Sequence, residues 1–286
     1  MKNLMRKTFF SMVVILLCLG VATISHAQAM FNLPGFSANT QPPNDDGSTG
    51  PISVSSALGM SSLDYFGNNY SQFYINTNGN LTFTGPLSTY TPSSLSSIGE
   101  PIIAPYWADV DTAVNGSAPV TYGSVPGSPD FNGQQAFGVE WNGVAYYASA
   151  DKLNKFELVL VNRSDVAPGD FDIIYNYDQV QWETGSASGG VDGLGGVSAS
   201  VGYTNGTNAQ TYVLPGSMIP GSFLDSNLST GLIHNSLNSN VLGRYIFQVR
   251  SGNVINTNVP EPGVLTMLMG MGVPFSFMLR RRRRLA

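Results

Sequence analysis

Between residues 73 and 249, apolar side chains recur at every second position in a series of separate runs. The runs are Phe73 and Ile75; Leu81 and Phe83; Phe137, Val139 and Trp141; and Phe156, Leu158 and Leu160. Phe171, Ile173, Tyr175 and Tyr177 continue the pattern, followed by Val197, Ala199, Val201 and Tyr203, then Tyr245, Phe247 and Val249. A period of two sends alternate side chains to opposite faces of an extended strand. Each run therefore predicts a strand with one face inward and one face wet. Asn78-Gly79-Asn80 between the first two runs tolerates positive φ and predicts a hairpin. A helical period is not sustained anywhere in this region; Pro92 to Ile98 has room for one turn, with Ser93 or Ser94 as its cap. Gly-, Pro-, Asn- and Ser-rich stretches at 125–133 and 186–196 read as loops. The expected fold is all-β: one antiparallel β-sandwich-like domain over residues 45–250, with a flexible lead-in at 28–44 and a stalk at 251–258.

Neither end of the chain follows this pattern. Lys2, Arg6 and Lys7 precede an apolar stretch from Phe9 to Ile24, and Ser25-His26-Ala27 supplies a small-x-small site. This predicts a signal peptide over 1–27, cut between Ala27 and Gln28, with Ala27-Gln28-Ala29 offering a second cut two residues on. An uncleaved N-terminal anchor is the alternative. At the other end, Val259, Pro260, Glu261 and Pro262 lead through Gly263 into an apolar run at 264–279, then Arg280, Arg281, Arg282, Arg283 and Arg284. As a helix the run would span about 24 Å, close to the ~30 Å hydrocarbon core. The arginines would hold the cytoplasmic side, leaving the body outside. This tripartite tail resembles the PEP-CTERM protein-sorting signal of bacteria. The resemblance implies an exosortase-type processing enzyme acting at residues 259–262, transient anchoring in the inner membrane through the C-terminal helix, then release to the cell surface or matrix. A plain single-span anchor is the alternative, with the same topology.

Setting both ends aside changes the charge. The 13 lysines and arginines include three in the leader and five in the tail, while 17 of the 18 acidic residues lie in the body. The body is left with Lys152, Lys155, Arg163, Arg244 and Arg250, for a net charge of −12 rather than −5. Such a surface repels nucleic acid and anionic membranes and attracts cations or basic partners. The one cysteine, Cys18, lies in the leader. The body therefore has no disulfide, thiolate nucleophile or cysteine-ligated metal, and must be held by its core.

Ordered blocks in the body carry a second resemblance. They are Tyr74-Ile75-Asn76-Thr77-Asn78-Gly79-Asn80-Leu81-Thr82-Phe83 and Pro101-Ile102-Ile103-Ala104-Pro105-Tyr106-Trp107-Ala108-Asp109-Val110-Asp111-Thr112. Val139 to Val144, Asn154 to Leu160, Phe171 to Tyr177, Trp182-Glu183-Thr184-Gly185, Ala199 to Tyr203 and Gly243 to Phe247 follow in order. Over residues 58–250 the chain resembles the NIDO (nidogen extracellular) domain. The resemblance implies an extracellular β-rich domain of cell–matrix adhesion or matrix assembly and no reaction. Partners would be matrix polysaccharide or surface proteins.

Among candidate chemical groups, Asp109 and Asp111 are the sharpest pair, because residues i and i+2 of a strand share a face. With Asn115 they could hold Ca²⁺ through oxygen ligands. Alternatively they close a turn by accepting backbone N–H bonds, or form a glycosidase pair. His234, the one histidine beyond the leader, sits in an Asn/Ser-rich stretch and reads as a solvated loop residue. No Gly-x-Ser-x-Gly elbow accompanies it, so no triad is expected. Trp107, Trp141 and Trp182 read as core residues or, alternatively, as a sugar-stacking platform. The second reading would make the domain a carbohydrate-binding module for exopolysaccharide, acting through surface aromatics with or without calcium. Six Asn-x-Ser/Thr sequons, at Asn69, Asn80, Asn115, Asn162, Asn205 and Asn227, read as polar surface.

Overall fold

The alternating runs pair antiparallel, with each inward residue opposite another. Phe137 faces Leu160, Val139 faces Leu158 and Trp141 faces Phe156 across strands Ala136–Tyr146 and Ser149–Asn162. Leu158 in turn faces Tyr175 and Leu160 faces Ile173; Ile173 then faces Phe247 and Tyr175 faces Tyr245. A computed structural model describes residues 28–255. The expected signal peptide, sorting motif, apolar helix and arginine block lie outside the described residues. No helix among the described residues is long and apolar enough to cross a membrane.

Two larger antiparallel sheets result. The first runs Asn39–Thr40, Thr121–Val125, Ala136–Tyr146, Ser149–Asn162, Phe171–Gln179, Arg244–Arg250 and Asn253–Ile255, with Val110–Asp111 also paired to Ala136–Tyr146. The second runs Thr211–Val213, Ser200–Thr204, Ile102–Trp107, Asn80–Thr82, Gln72–Asn76 and Ile52–Ser53. Both contribute to one apolar core, where Phe73, Ile75, Leu81, Ile103 and Tyr106 meet Val139, Trp141, Phe156, Leu158, Ile173 and Tyr175. The all-β, sandwich-like class follows from this shared core. Asn253–Ile255, expected in a stalk, instead extends the first sheet by pairing with Arg244–Arg250.

The outer faces differ from expectation, because stretches of both are dry. On the first sheet, Ala136, Val159, Val161 and Ile174 pack under Phe36 and Phe131, with Phe31 and Leu33 alongside. The segment expected as a flexible lead-in is thus a cover: Phe36 is fully buried. Asp178 accepts hydrogen bonds from the Ala29 and Met30 N–H groups at 2.6 and 3.1 Å. Arg244 donates to the Ala29 carbonyl and lies 4.0 Å above the Phe31 ring. On the second sheet, Leu95 with Leu87 and Ile98 covers Ile102, Ala104 and Trp107. The turn expected between 92 and 98 is a 3-10 turn at Leu95–Ser97, and Ser94 precedes it without a side-chain cap bond. A five-residue α-helix, Val54–Leu58, has no counterpart in the sequence reading; it ends at Gly59 in the left-handed region.

The expected hairpin forms, and its turn anchors the next strand. Gly79 has φ 74° and its carbonyl accepts from the Tyr106 N–H at 3.1 Å. A Cβ at this position would lie 1.9 Å from the Tyr106 carbonyl oxygen. Gly79→Ala combines left-handed strain with overpacking, for an expected loss of about 2–4 kcal/mol. A lower urea midpoint at unchanged m-value checks this.

Candidate functional site

The chain crosses between the two sheets twice in one neighbourhood. Asp109 lies between Ile102–Trp107 in the second sheet and Val110–Asp111 in the first. Asp45 and Asp46 lie in the loop from Asn39–Thr40 in the first sheet to Ile52–Ser53 in the second. One carboxylate oxygen from each of Asp45, Asp46 and Asp109 falls within 4.8 Å of the other two.

Short polar side chains clamp the first loop onto the second. The Asn44 side-chain oxygen accepts from the Gly47 N–H at 2.6 Å and the Thr77 hydroxyl at 2.6 Å, an Asx-type turn that fixes Asp45 and Asp46 between. The Asn44 N–H donates to the Thr112 hydroxyl oxygen, and the Thr112 hydroxyl and N–H both donate to the Asn44 carbonyl. Asn78, in the hairpin turn, reaches both crossings. Its amide NH₂ donates to Asp46 at 2.8 Å, its side-chain oxygen accepts from the Val110 N–H at 2.9 Å, and its carbonyl accepts from the Ala108 N–H.

The electrostatics are those of an acidic site without a basic partner. Asp109 is 1% exposed, and its Oδ2 lacks a hydrogen-bond partner, as does the buried Oδ1 of Asp45. Burial first, and then the charges of Asp45, Asp46 and Asp111, push the Asp109 carboxyl up to about 7, with the Ser188 hydroxyl opposing the rise. Asp45 is pushed up to about 6 by burial and by the charges of Asp46 and Asp111. The ion pairs among the described residues, Lys152–Asp151, Arg163–Asp165, Arg163–Asp172 and Arg250–Asp172, involve none of the three. Gly185 backs the site: a Cβ there would lie 2.2 Å from Asp109 Oδ2, so a residue without one lets the carboxylate occupy its place. Carboxylates with no nitrogen or sulfur donor suit a hard cation.

Other residues singled out from the sequence occupy different roles. The Asp111 carboxylate accepts from the Ala113 and Val114 N–H groups at 2.7 and 3.2 Å, which is the turn-closing reading. Asn115 is exposed in that turn. Of the expected set Asp109, Asp111 and Asn115, only Asp109 belongs to the cluster of three carboxylates. The missed members, Asp45 and Asp46, open the stretch expected as the β domain, just after the lead-in, and the Asn-Asp-Asp-Gly turn chemistry was the signal that could have found them. His234 sits half-buried in a 3-10 turn, Leu232–His234, with Nε2 2.7 Å from the Asp225 carbonyl oxygen. A cleft of about 380 Å³ lined by Asp151, Lys152, Gln181, Leu224 and Asp225 includes none of the clustered carboxylates.

The three tryptophans are core residues, as the first reading had them, and burial rules out the alternative sugar platform. Trp107, Trp141 and Trp182 are each at most 1% exposed, and each indole N–H donates to a carbonyl: Thr89, Thr77 and Val144 respectively. Asn80, one of the sequons, is likewise buried, its side chain bonded to Asn76 and to the Asn78 carbonyl.

The nidogen-like domain family (NIDO) matches residues 71–251, which include Asp109 and Gly185 but not Asp45 or Asp46. The chain is similar to alpha-tectorin of Mus musculus, at 31% identity over 238 residues, covering 76% of this chain and 10% of that protein. Alpha-tectorin of Gallus gallus is 29% identical over 266 residues, covering 85% of this chain and 12% of its own length. Nidogen of Drosophila melanogaster is 25% identical over 207 residues, covering 65% of this chain and 14% of that protein. The chain spans between a tenth and a seventh of the length of these curated relatives. No solved structure matches it.

Proposed function

The chain belongs to the nidogen-like domain family, and on that premise we propose that it is a non-enzymatic, exported protein of extracellular-matrix type, engaged in cell–matrix adhesion or matrix assembly. The observation that carries this is the family match across residues 71–251, the greater part of the sandwich. The relatives' names, alpha-tectorin and nidogen, accord with a matrix setting. A body of charge −12 presents a surface suited to cations and basic partners rather than nucleic acid.

Delivery is assigned to the two ends. The leader directs export. The tail, through Val259, Pro260, Glu261 and Pro262, retains the protein at the inner membrane until an exosortase-type enzyme releases it to the surface. Of the two leader cuts, the one after Ala27 keeps Ala29, whose N–H binds Asp178 and whose carbonyl binds Arg244. A cut after Ala29 would remove those contacts and loosen the cover over the first sheet.

Intact-mass analysis of the protein recovered from each cell fraction tests the proposal. The expected result is a surface or matrix form beginning at Gln28 and ending near residues 259–262. A chain still ending at Leu285-Ala286 would reduce the tail to a plain anchor. A chain confined to the cytoplasm with its leader intact would overturn export altogether.

A further inference from the structure

We propose that Asp45, Asp46 and Asp109 bind a calcium ion that ties the two sheet crossings to one another. This goes beyond the matrix role and does not depend on it. Two of the three ligands, Asp45 and Asp46, lie outside the residues matched by the family.

Clustered acids alone are common on protein surfaces. What distinguishes this set is Asp109, 1% exposed with an oxygen that nothing in the protein hydrogen-bonds. Burying a carboxylate oxygen without a donor is costly, and the usual compensations are a cation or a set of donors. Here the nearest charges are further carboxylates, which worsen the cost. A divalent cation removes both penalties, satisfying the orphaned oxygens and cancelling the mutual repulsion.

The ligand chemistry selects the ion. All three groups are hard oxygen donors, which excludes a thiolate- or imidazole-type zinc site. Calcium accepts irregular carboxylate geometry with 6–8 oxygens at roughly 2.3–2.6 Å, whereas magnesium demands a near-ideal octahedron and keeps much of its water. The loop bearing Asp45 and Asp46 is already held by Asn44, Thr77, Thr112 and Asn78, so little ordering remains to be done on binding. The mechanical result is specific. Calcium would staple the first covalent link between the sheets to the link that follows Trp107, at one end of a sandwich that has no disulfide.

The test is thermal melting of the chelator-treated full chain at neutral pH, with about 5 mM CaCl₂ or with NaCl of equal ionic strength. Extracellular calcium modules bind at about 0.1–1 mM, so the calcium sample should melt about 3–6 °C higher than the chelated one. Asp109→Asn and Asp45→Asn should each abolish the calcium-dependent rise. Their melting points without calcium should match or exceed the parent's, because a neutral amide ends the repulsion; that separates loss of a site from loss of the fold. Asp46→Asn, half-buried like Asp45, is read in the same way. No rise in the parent, an equal rise with NaCl, or an undiminished rise in the folded variants would each overturn the proposal.

Discussion

Trp141→Ala is expected to destabilise the domain by about 4–6 kcal/mol, from the cavity it leaves and the Thr77 carbonyl it strands. The indole is fully buried, stacked on Phe156 with ring centroids 4.9 Å apart and planes at 11°, and donates to Thr77 at 2.9 Å. It therefore joins the first sheet to the hairpin turn of the second. Against a typical domain stability of about 5–15 kcal/mol, this loss is enough to leave much of the protein unfolded. Urea denaturation and the yield of folded protein measure it. Trp182→Ala should behave alike, because its indole is fully buried, donates to the Val144 carbonyl and meets the Tyr106 ring edge-on. A Trp141→Ala variant that kept its urea midpoint would contradict the buried role and reopen the sugar-platform reading.

The second large effect is an inverted pH dependence. Without divalent cations, the domain should grow more stable as pH falls from about 8 to about 5.5. Burial pushes Glu157 up to about 8, Asp109 up to about 7 and Asp45 up to about 6, and it raises Glu140 and Glu183 as well. For a carboxyl whose folded value lies above its unfolded value, the folded state holds more protons between the two. Stability therefore declines as pH rises through that window and is recovered by acidification. Asp151 and Asp165 are shifted the opposite way by Lys152 and Arg163, but they titrate below the window.

Glu157 dominates among these groups. It is fully buried in the first sheet, accepting from Asn176 at 2.6 Å and from the Phe31 N–H at 3.3 Å, while its other oxygen has no partner. Glu157→Gln should flatten the pH profile and stabilise the protein near pH 9 by a few kcal/mol, on the order of 3, relative to the parent. Melting curves at pH 5.5, 7 and 9 decide the matter. A parent whose stability rises steadily toward pH 9 would show that these carboxyls are not held neutral.

The strands and the hairpin turn at Asn78-Gly79-Asn80 were legible because they are set by local chemistry. Period-two alternation names the inward side chains, and Gly79 permits a backbone that other residues resist. The pairing of Val139 with Leu158 and of Ile173 with Phe247 is that alternation carried across neighbouring strands. The ordered motifs also marked the family, since they record the same turns and crossings.

What covers a sheet's outer face could not be read in this way. Alternation says that Ile102 and Ile103 point to opposite sides, but not that Leu95 lies over Ile102 and the Trp107 indole, nor that Phe36 returns to cover the first sheet. Those contacts join distant segments by burial alone, which leaves no period in the chain. The acidic site has the same origin. A pair two residues apart, Asp109 and Asp111, was visible in the sequence, yet Asp111 closes a turn. Asp109 is met instead by Asp45 and Asp46, about sixty residues upstream. The sequence by itself determined an all-β, cysteine-free, acidic body of the nidogen-like family. Only the tertiary structure decided which carboxylates share a site, because their proximity is created where two separate crossings between the sheets come together.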